Sequence, residues 1–303
     1  MYNILWFDDE HETLETIKED ALLVDITLNG CSNAADGLIE LKTNEYDAII
    51  LDGLFYKNED HSGNALNDEA FGEVAKYLGE QKAKGITIPW FIYSGQRSFV
   101  KDKNSLVNIF ADTSFANGKV FDKNIDDDFE ELCKEIKKAV DALPQTQIKN
   151  EYADVFEIFI LGYLPNTVKE NLINVLLQPL PTNNNELKAI LTNIRSIQES
   201  CFTAIEAKGI FTNGLRSFKN KVKYLSGNIT WDASQNKFVP TSTVYQTHEI
   251  ELLQSWLYQT CGKYIHHTQN QVDYMISNYS VEALRNGLLE ILLWFKKTMQ
   301  ENP

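Results

Sequence analysis

The sequence predicts a doubly wound, five-stranded parallel α/β sheet over residues 1–143, then an all-α domain over residues 151–303, with residues 144–150 as a polar linker. Three observations lead there. Short apolar runs alternate with amphipathic stretches in the first half, and the alternation stops after Pro144. The runs Ala48–Leu51 and Trp90–Tyr93 are apolar without alternation, as suits strands buried on both faces of a parallel sheet. The charge also divides in two: residues 1–147 hold 14 Lys+Arg against 29 Asp+Glu, whereas residues 148–303 hold 14 of each.

Strands are expected at Asn3–Phe7, Val24–Leu28, Asp47–Leu51, Pro89–Tyr93 and Lys119–Phe121. Helical spacing falls between them at His11–Ala21, Ala34–Thr43, Glu69–Lys84 and Lys103–Phe110, and a fifth helix follows at Asp127–Leu143. Asp126, Asp127 and Asp128 open that fifth helix, where carboxylates suit the positive end of the helix dipole. Pro144 is read as its stop and Gln145–Asn150 as linker. Beyond it, helices are expected at Tyr152–Leu164, Val168–Leu177, Glu186–Lys208, Leu215–Leu225, Glu249–Tyr258 and Ser280–Met299. The segment Pro179–Asn185 reads as a loop, and Gly227–Val244 as holding a hairpin. The last helix is apolar almost all round, so it belongs in a core or at a homodimer interface.

Composition excludes several classes. A formal charge of −15 disfavours DNA binding, and in the second half only Arg216, Lys219, Lys221 and Lys223 cluster, spread around a helix. The cysteines Cys31, Cys133, Cys201 and Cys261 are far apart and form no metal or disulfide framework, so buried thiols are expected. No apolar run reaches membrane-spanning length and the start is no signal peptide; a cytoplasmic protein is the expectation.

In an open parallel sheet the functional crevice lies beyond the carboxyl ends of the strands. That rule gathers Asp8, Asp9 and Glu10 after the first strand, Asp52 after the third, Ser94 after the fourth and Lys123 after the fifth. Crowded carboxylates repel one another unless a cation or a proton intervenes. A carboxylate can accept a phosphoryl group as an acyl phosphate, given positioning and charge neutralisation.

The segments "WFDDE", "IILDG", "FIYSG" and "VFDKN", in that strand–helix order, resemble the receiver domain of two-component response regulators over about residues 1–143. The resemblance implies a flavodoxin-like fold, a Mg²⁺ cofactor, and a histidine kinase or phosphotransfer protein as partner. It implies that Asp52 is the phosphoacceptor, that Asp8, Asp9, Asp52 and the Leu54 carbonyl hold Mg²⁺, and that Ser94 and Lys123 meet the phosphoryl group. The sequence departs from the family at Lys123-Asn124, where Lys-Pro with a cis peptide is usual. It departs again at Val120, usually Tyr or Phe, and in the long proline-free loop Gly53–Leu66.

"IRSIQESCFTAI" and "GKYIHHT" in the second half are similar to all-helical HEPN-like domains, some of which cleave RNA with an Arg and a His a few residues apart. His266 and His267 are present, but Trp256–Cys261 offers no Arg, and Arg195, Arg216 and Arg285 are remote in sequence. The expectation is therefore a response regulator whose helical output domain binds an unknown protein rather than DNA. A receiver-regulated ribonuclease and a scaffold with a degenerate receiver are the alternatives.

Overall fold

Neighbouring residues of the first strand enter opposite cores. Ile4 and Trp6 join one buried cluster, Leu5 and Phe7 another, and all four are at most 1% exposed. The sheet is therefore covered on both faces. A computed structural model describes residues 1–58, 68–83, 85–95, 106–111, 113–211, 215–241, 243–266 and 276–302. The chain divides into two units, Met1–Leu143 and Pro144–Pro303.

In the first unit, β1 (Tyr2–Phe7), β2 (Ile26–Cys31), β3 (Ala48–Leu51), β4 (Trp90–Ser94) and β5 (Val120–Asp122) form one sheet. Its order is β2-β1-β3-β4-β5 and every pair is parallel, which is the flavodoxin-like arrangement. The helices are α1 (Glu15–Leu23), α2 (Ala34–Thr43), α3 (Glu69–Ala83), α4 (Leu106–Ala111) and α5 (Asp126–Asp141). Ala21 of α1 and Leu132, Ile136 and Val140 of α5 close one core over Ile4, Trp6, Ile50 and Phe91. Ala34 of α2, Phe71, Val74 and Leu78 of α3 and Val107 of α4 close the other, over Leu5, Phe7, Ile49 and Ile92. Each such aliphatic or aromatic side chain contributes about 1.5–3 kcal/mol by leaving water. Close packing fixes two glycines. A Cβ on Gly37 would sit 2.0 Å from the Phe7 ring, and one on Gly30 would sit 2.1 Å from Nδ1 of His11.

In the first unit, two elements begin more than one residue from where the sequence places them among the described residues. The second strand begins at Ile26, not Val24, because Val24 caps α1 and Asp25 turns the chain with φ of 58°. The N–H groups of Val24 and Asp25 donate to the carbonyls of Ala21 and Leu22, so they finish the helix. The first helical stretch also splits into a 3-10 turn at His11–Thr13 followed by α1. Residues 59–66 of the long loop, Lys84, and residues 103–105 of the fourth expected helix lie outside the described residues.

The expected linker is a helix, α6 (Pro144–Glu151). Proline is tolerated in the first turn of a helix, where its missing N–H has no intrahelical acceptor. Pro144 therefore begins α6 rather than only ending α5, and Ile148 packs on the core of the second unit. That unit continues with α7 (Ala153–Ile160), α8 (Asn166–Leu177), α9 (Asn184–Ala207) and α10 (Phe218–Leu225). The hairpin β6 (Thr230–Asp232) and β7 (Lys237–Val239) follows, then α11 (His248–His266) and α12 (Asn278–Glu301). In the hairpin, Trp231 opposes Phe238 with ring centroids 5.0 Å apart. Asn183 caps α9 by accepting from the N–H groups of Asn185 and Glu186.

The core of the second unit forms along α9, whose Leu187, Ile190, Leu191, Ile194, Ile197, Cys201 and Ile205 recur at helical spacing and are buried. Leu284, Leu288, Ile291, Leu292 and Phe295 of α12 are fully buried in the same core. Three buried glutamines cross it as a chain. Gln198 Nε2 donates to the Gln254 carbonyl at 3.1 Å, and Gln254 Nε2 donates to Gln246 Oε1 at 2.8 Å. Gln246 Nε2 donates in turn to the Val222 carbonyl at 2.8 Å and to Ser226 Oγ at 2.9 Å. All four cysteines are free and buried. No helix among the described residues is long and apolar enough to cross a membrane.

Candidate functional site

The sheet order reverses direction between β1 and β3, and the crevice at that point is lined by whatever ends those strands. Backbone hydrogen bonds carry the strand ladder one residue further. Asp8 N–H donates to the Cys31 carbonyl and Asp52 N–H to the Phe7 carbonyl, both at 2.9 Å; Lys123 N–H donates to the Ser94 carbonyl at 3.2 Å. Asp8, Asp52, Ser94 and Lys123 are thus set in place by the sheet rather than by free loops.

Carboxylate oxygens of Asp8, Asp9 and Asp52 lie within 4.8 Å of one another. Lys123 Nζ bridges two of them, 2.5 Å from Asp8 Oδ2 and 2.6 Å from Asp52 Oδ2. Asp8 is 0% and Asp52 7% exposed, while Asp9 is half-buried at the rim. The other Asp52 oxygen, Oδ1, accepts from the Gly53 N–H at 2.5 Å, and Asp8 Oδ1 accepts from the Glu10 N–H at 2.9 Å. Ser94 is buried at the end of β4. Leu54 lies two residues past Asp52, its side chain half-buried.

The electrostatics follow from this crowding. Burial pushes the Asp8 carboxyl above its usual range, and the Lys123 ammonium offsets only part of that. Asp9 is raised as well, first by burial and then by the charges of Asp8, Asp52 and Glu10. Burial works against the charged form of Lys123, but Asp52 and Asp8 together outweigh it and hold the ammonium above its ordinary value. Among the described residues, three carboxylates face one ammonium, a formal excess of two negative charges when all are ionised. The donors are all oxygen, and Asp9 is only half-buried. A small hard divalent cation that keeps several waters fits such a set, and Mg²⁺ fits better than a thiolate- or imidazole-seeking metal.

Two of the sequence departures have a visible structural counterpart. Val120 packs against the α2–α3–α4 core rather than presenting an aromatic ring. Asn124 takes the position of the usual proline, and no peptide bond among the described residues is cis. Its amide Nδ2 donates to the Gly95 carbonyl at 3.1 Å and to Asp122 Oδ1 at 2.8 Å, and its N–H donates to the same Asp122 oxygen at 2.9 Å. This link was not foreseen, since it depends on a backbone carbonyl 29 residues away in sequence.

In the second unit, His266 is the last residue of α11 and His267 lies outside the described residues. Arg195, judged remote by spacing, packs against Gly262, one helical turn before His266: a Cβ there would sit 2.8 Å from Nη1. The Arg195 guanidinium is occupied by structure. It donates to Glu199 Oε1 at 2.8 Å and to the Tyr258 hydroxyl at 2.9 Å, and it covers the Tyr258 ring. Among the basic residues of α10, Lys221 is paired with Glu206 at 2.7 Å.

No family model matches the chain. No curated protein matches it either. Similar solved structures include the Francisella response regulator 1452 receiver domain, 16% identical over 46% of this chain and 97% of that one, with a TM-score of 0.32. A sensor protein from Polaromonas sp. JS666 is 14% identical over 46% of this chain and 96% of that one, again with a TM-score of 0.32. At such values these likenesses carry no functional weight. The flavodoxin-like fold of the first unit rests on its own sheet order.

Proposed function

We propose that Asp52 accepts a phosphoryl group in a Mg²⁺-dependent reaction, and that its modification switches the helical unit, whose output is binding to another protein. The carrying observation is the bridge that Lys123 makes between Asp8 and Asp52, beside Asp9. A carboxylate oxygen of Asp52 forms a bond to phosphorus while the bond from phosphorus to the donor's leaving atom breaks, and that atom keeps the electron pair. The donor by this reading is a phosphohistidine on a kinase or phosphotransfer protein. Asp8, Asp9, Asp52 and the Leu54 carbonyl would hold Mg²⁺, which when bound supplies charge neutralisation on the phosphoryl oxygens. Lys123 is already within reach of Asp52 and supplies a second positive charge to the transferring group. Ser94, buried at the neighbouring strand end, supplies a hydroxyl to a phosphoryl oxygen. The gain of charge at Asp52 then draws the Ser94 loop inward.

The test is incubation with acetyl phosphate and MgCl₂, read by mass spectrometry. The expected result is one added phosphate per chain, absent when chelator is present throughout and absent from Asp52→Ala. Labelling that persists in that variant, or no labelling of the unaltered protein, refutes the reading and favours a scaffold.

A further inference from the structure

We infer that Asn124 is a positioning residue for the phosphoryl pocket, a hydrogen-bonded clip that holds the Ser94–Gly95 turn against Lys123; this rests on the phosphoacceptor reading of Asp52. Asn124 follows the cation of the pocket directly, and its side chain spans two loops. One amide hydrogen goes to the Gly95 carbonyl in the turn after β4, and the other to Asp122 Oδ1 at the end of β5. Its backbone N–H also goes to Asp122 Oδ1, which closes an Asx-type turn around Lys123. Lys123 N–H in turn holds the Ser94 carbonyl.

The clip brings Gly95 against the lysine stem. A Cβ at Gly95 would lie 3.8 Å from Lys123 Cβ, 3.9 Å from Lys123 Cδ and 3.8 Å from Asn124 Nδ2. Ser94 and Lys123, the two groups that would meet phosphoryl oxygens, are therefore tied by the strand ladder and a second time, through Gly95, by one side chain. Asn124 makes no hydrogen bond to the carboxylates of Asp8, Asp9 or Asp52, and the backbone N–H groups of Asp8 and Asp52 are anchored elsewhere, on the Cys31 carbonyl of β2 and the Phe7 carbonyl of β1. A proline here could supply neither the N–H nor the amide donor. Geometry thus separates two properties. Cation affinity belongs to the carboxylates, and retention of the phosphoryl group depends also on Asn124.

The experiment compares unaltered protein with Asn124→Leu, which keeps the size but loses the amide donors without adding charge, and with Asn124→Ala. Mg²⁺ affinity is measured by titration, and beryllofluoride affinity is measured at saturating Mg²⁺. The expected result is a loss of beryllofluoride affinity of about five- to tenfold in both variants, the factor that one neutral hydrogen bond carries, with Mg²⁺ affinity changed less than about twofold. Acetyl phosphate labelling should lose maximal rate rather than show a raised KM. Variants equal to the unaltered protein, or variants losing both affinities equally, overturn the clip. If the unaltered protein neither binds beryllofluoride nor takes label, the phosphoacceptor reading itself fails.

Discussion

Replacing Lys123 with methionine keeps the apolar stem and removes one charge from a buried triad. In the native pocket Nζ lies 2.5 Å from Asp8 and 2.6 Å from Asp52, with the lysine side chain only 13% exposed. Without it the two carboxylates face each other. At an effective dielectric of about 20, unit charges about 4 Å apart repel by about 4 kcal/mol, and removing one partner of a buried pair costs about 3–5 kcal/mol. Proton uptake limits the damage, because Asp8 is already raised by burial and loses the lowering charge of Lys123 in the variant. A destabilisation of about 3 kcal/mol is expected at about pH 8 without Mg²⁺.

The pH dependence has a definite sign. Folded-state values of Asp8 and Asp9 lie above the ordinary 3.8, so the stability they confer is complete below that value and is lost as pH rises through the raised ones. Lys123 is raised too, so its contribution is complete below 10.5 and is lost only above that, and the variant lacks it throughout. The deficit of Lys123→Met therefore shrinks on acidification to about pH 5, and MgCl₂ recovers part of it by replacing the missing charge. Urea unfolding of both proteins at the two pH values, with and without MgCl₂, measures this. A variant as stable as the unaltered protein at about pH 8 without Mg²⁺, or a deficit that grows on acidification, would refute the electrostatic account.

Two other substitutions probe the scaffold. Gly37→Ala places a methyl group 2.0 Å from the fully buried Phe7 ring, which must shift; a loss of about 1–3 kcal/mol is expected from thermal or urea unfolding. Gln246→Leu leaves Gln254 Nε2 buried without its acceptor, and about 1–3 kcal/mol should be lost while unfolding stays cooperative.

The grouping of Asp8, Asp9, Asp52 and Lys123 was legible because a parallel sheet collects strand-end residues wherever the loops go. Strand existence was equally legible from two-sided apolar runs such as Ala48–Leu51. The start of the second strand was not, because Val24 looks like strand and only the left-handed Asp25 reveals it as a helix end. Pro144 misled for a related reason: proline is permitted in the first turn of a helix as well as after its last. The approach of Arg195 to Gly262 and the reach of Asn124 to Gly95 are tertiary contacts with no periodic signature in sequence.

The glutamine chain has a mechanical consequence. It fastens α9 to α11 through Gln198, and α11 through Gln254 and Gln246 to the end of α10. Sliding α11 by one turn, about 5.4 Å, would separate at least two buried amides from their acceptors. Deformation of the helical unit is therefore cheapest where this fastening is absent, and α9, α11 and the end of α10 move as one block.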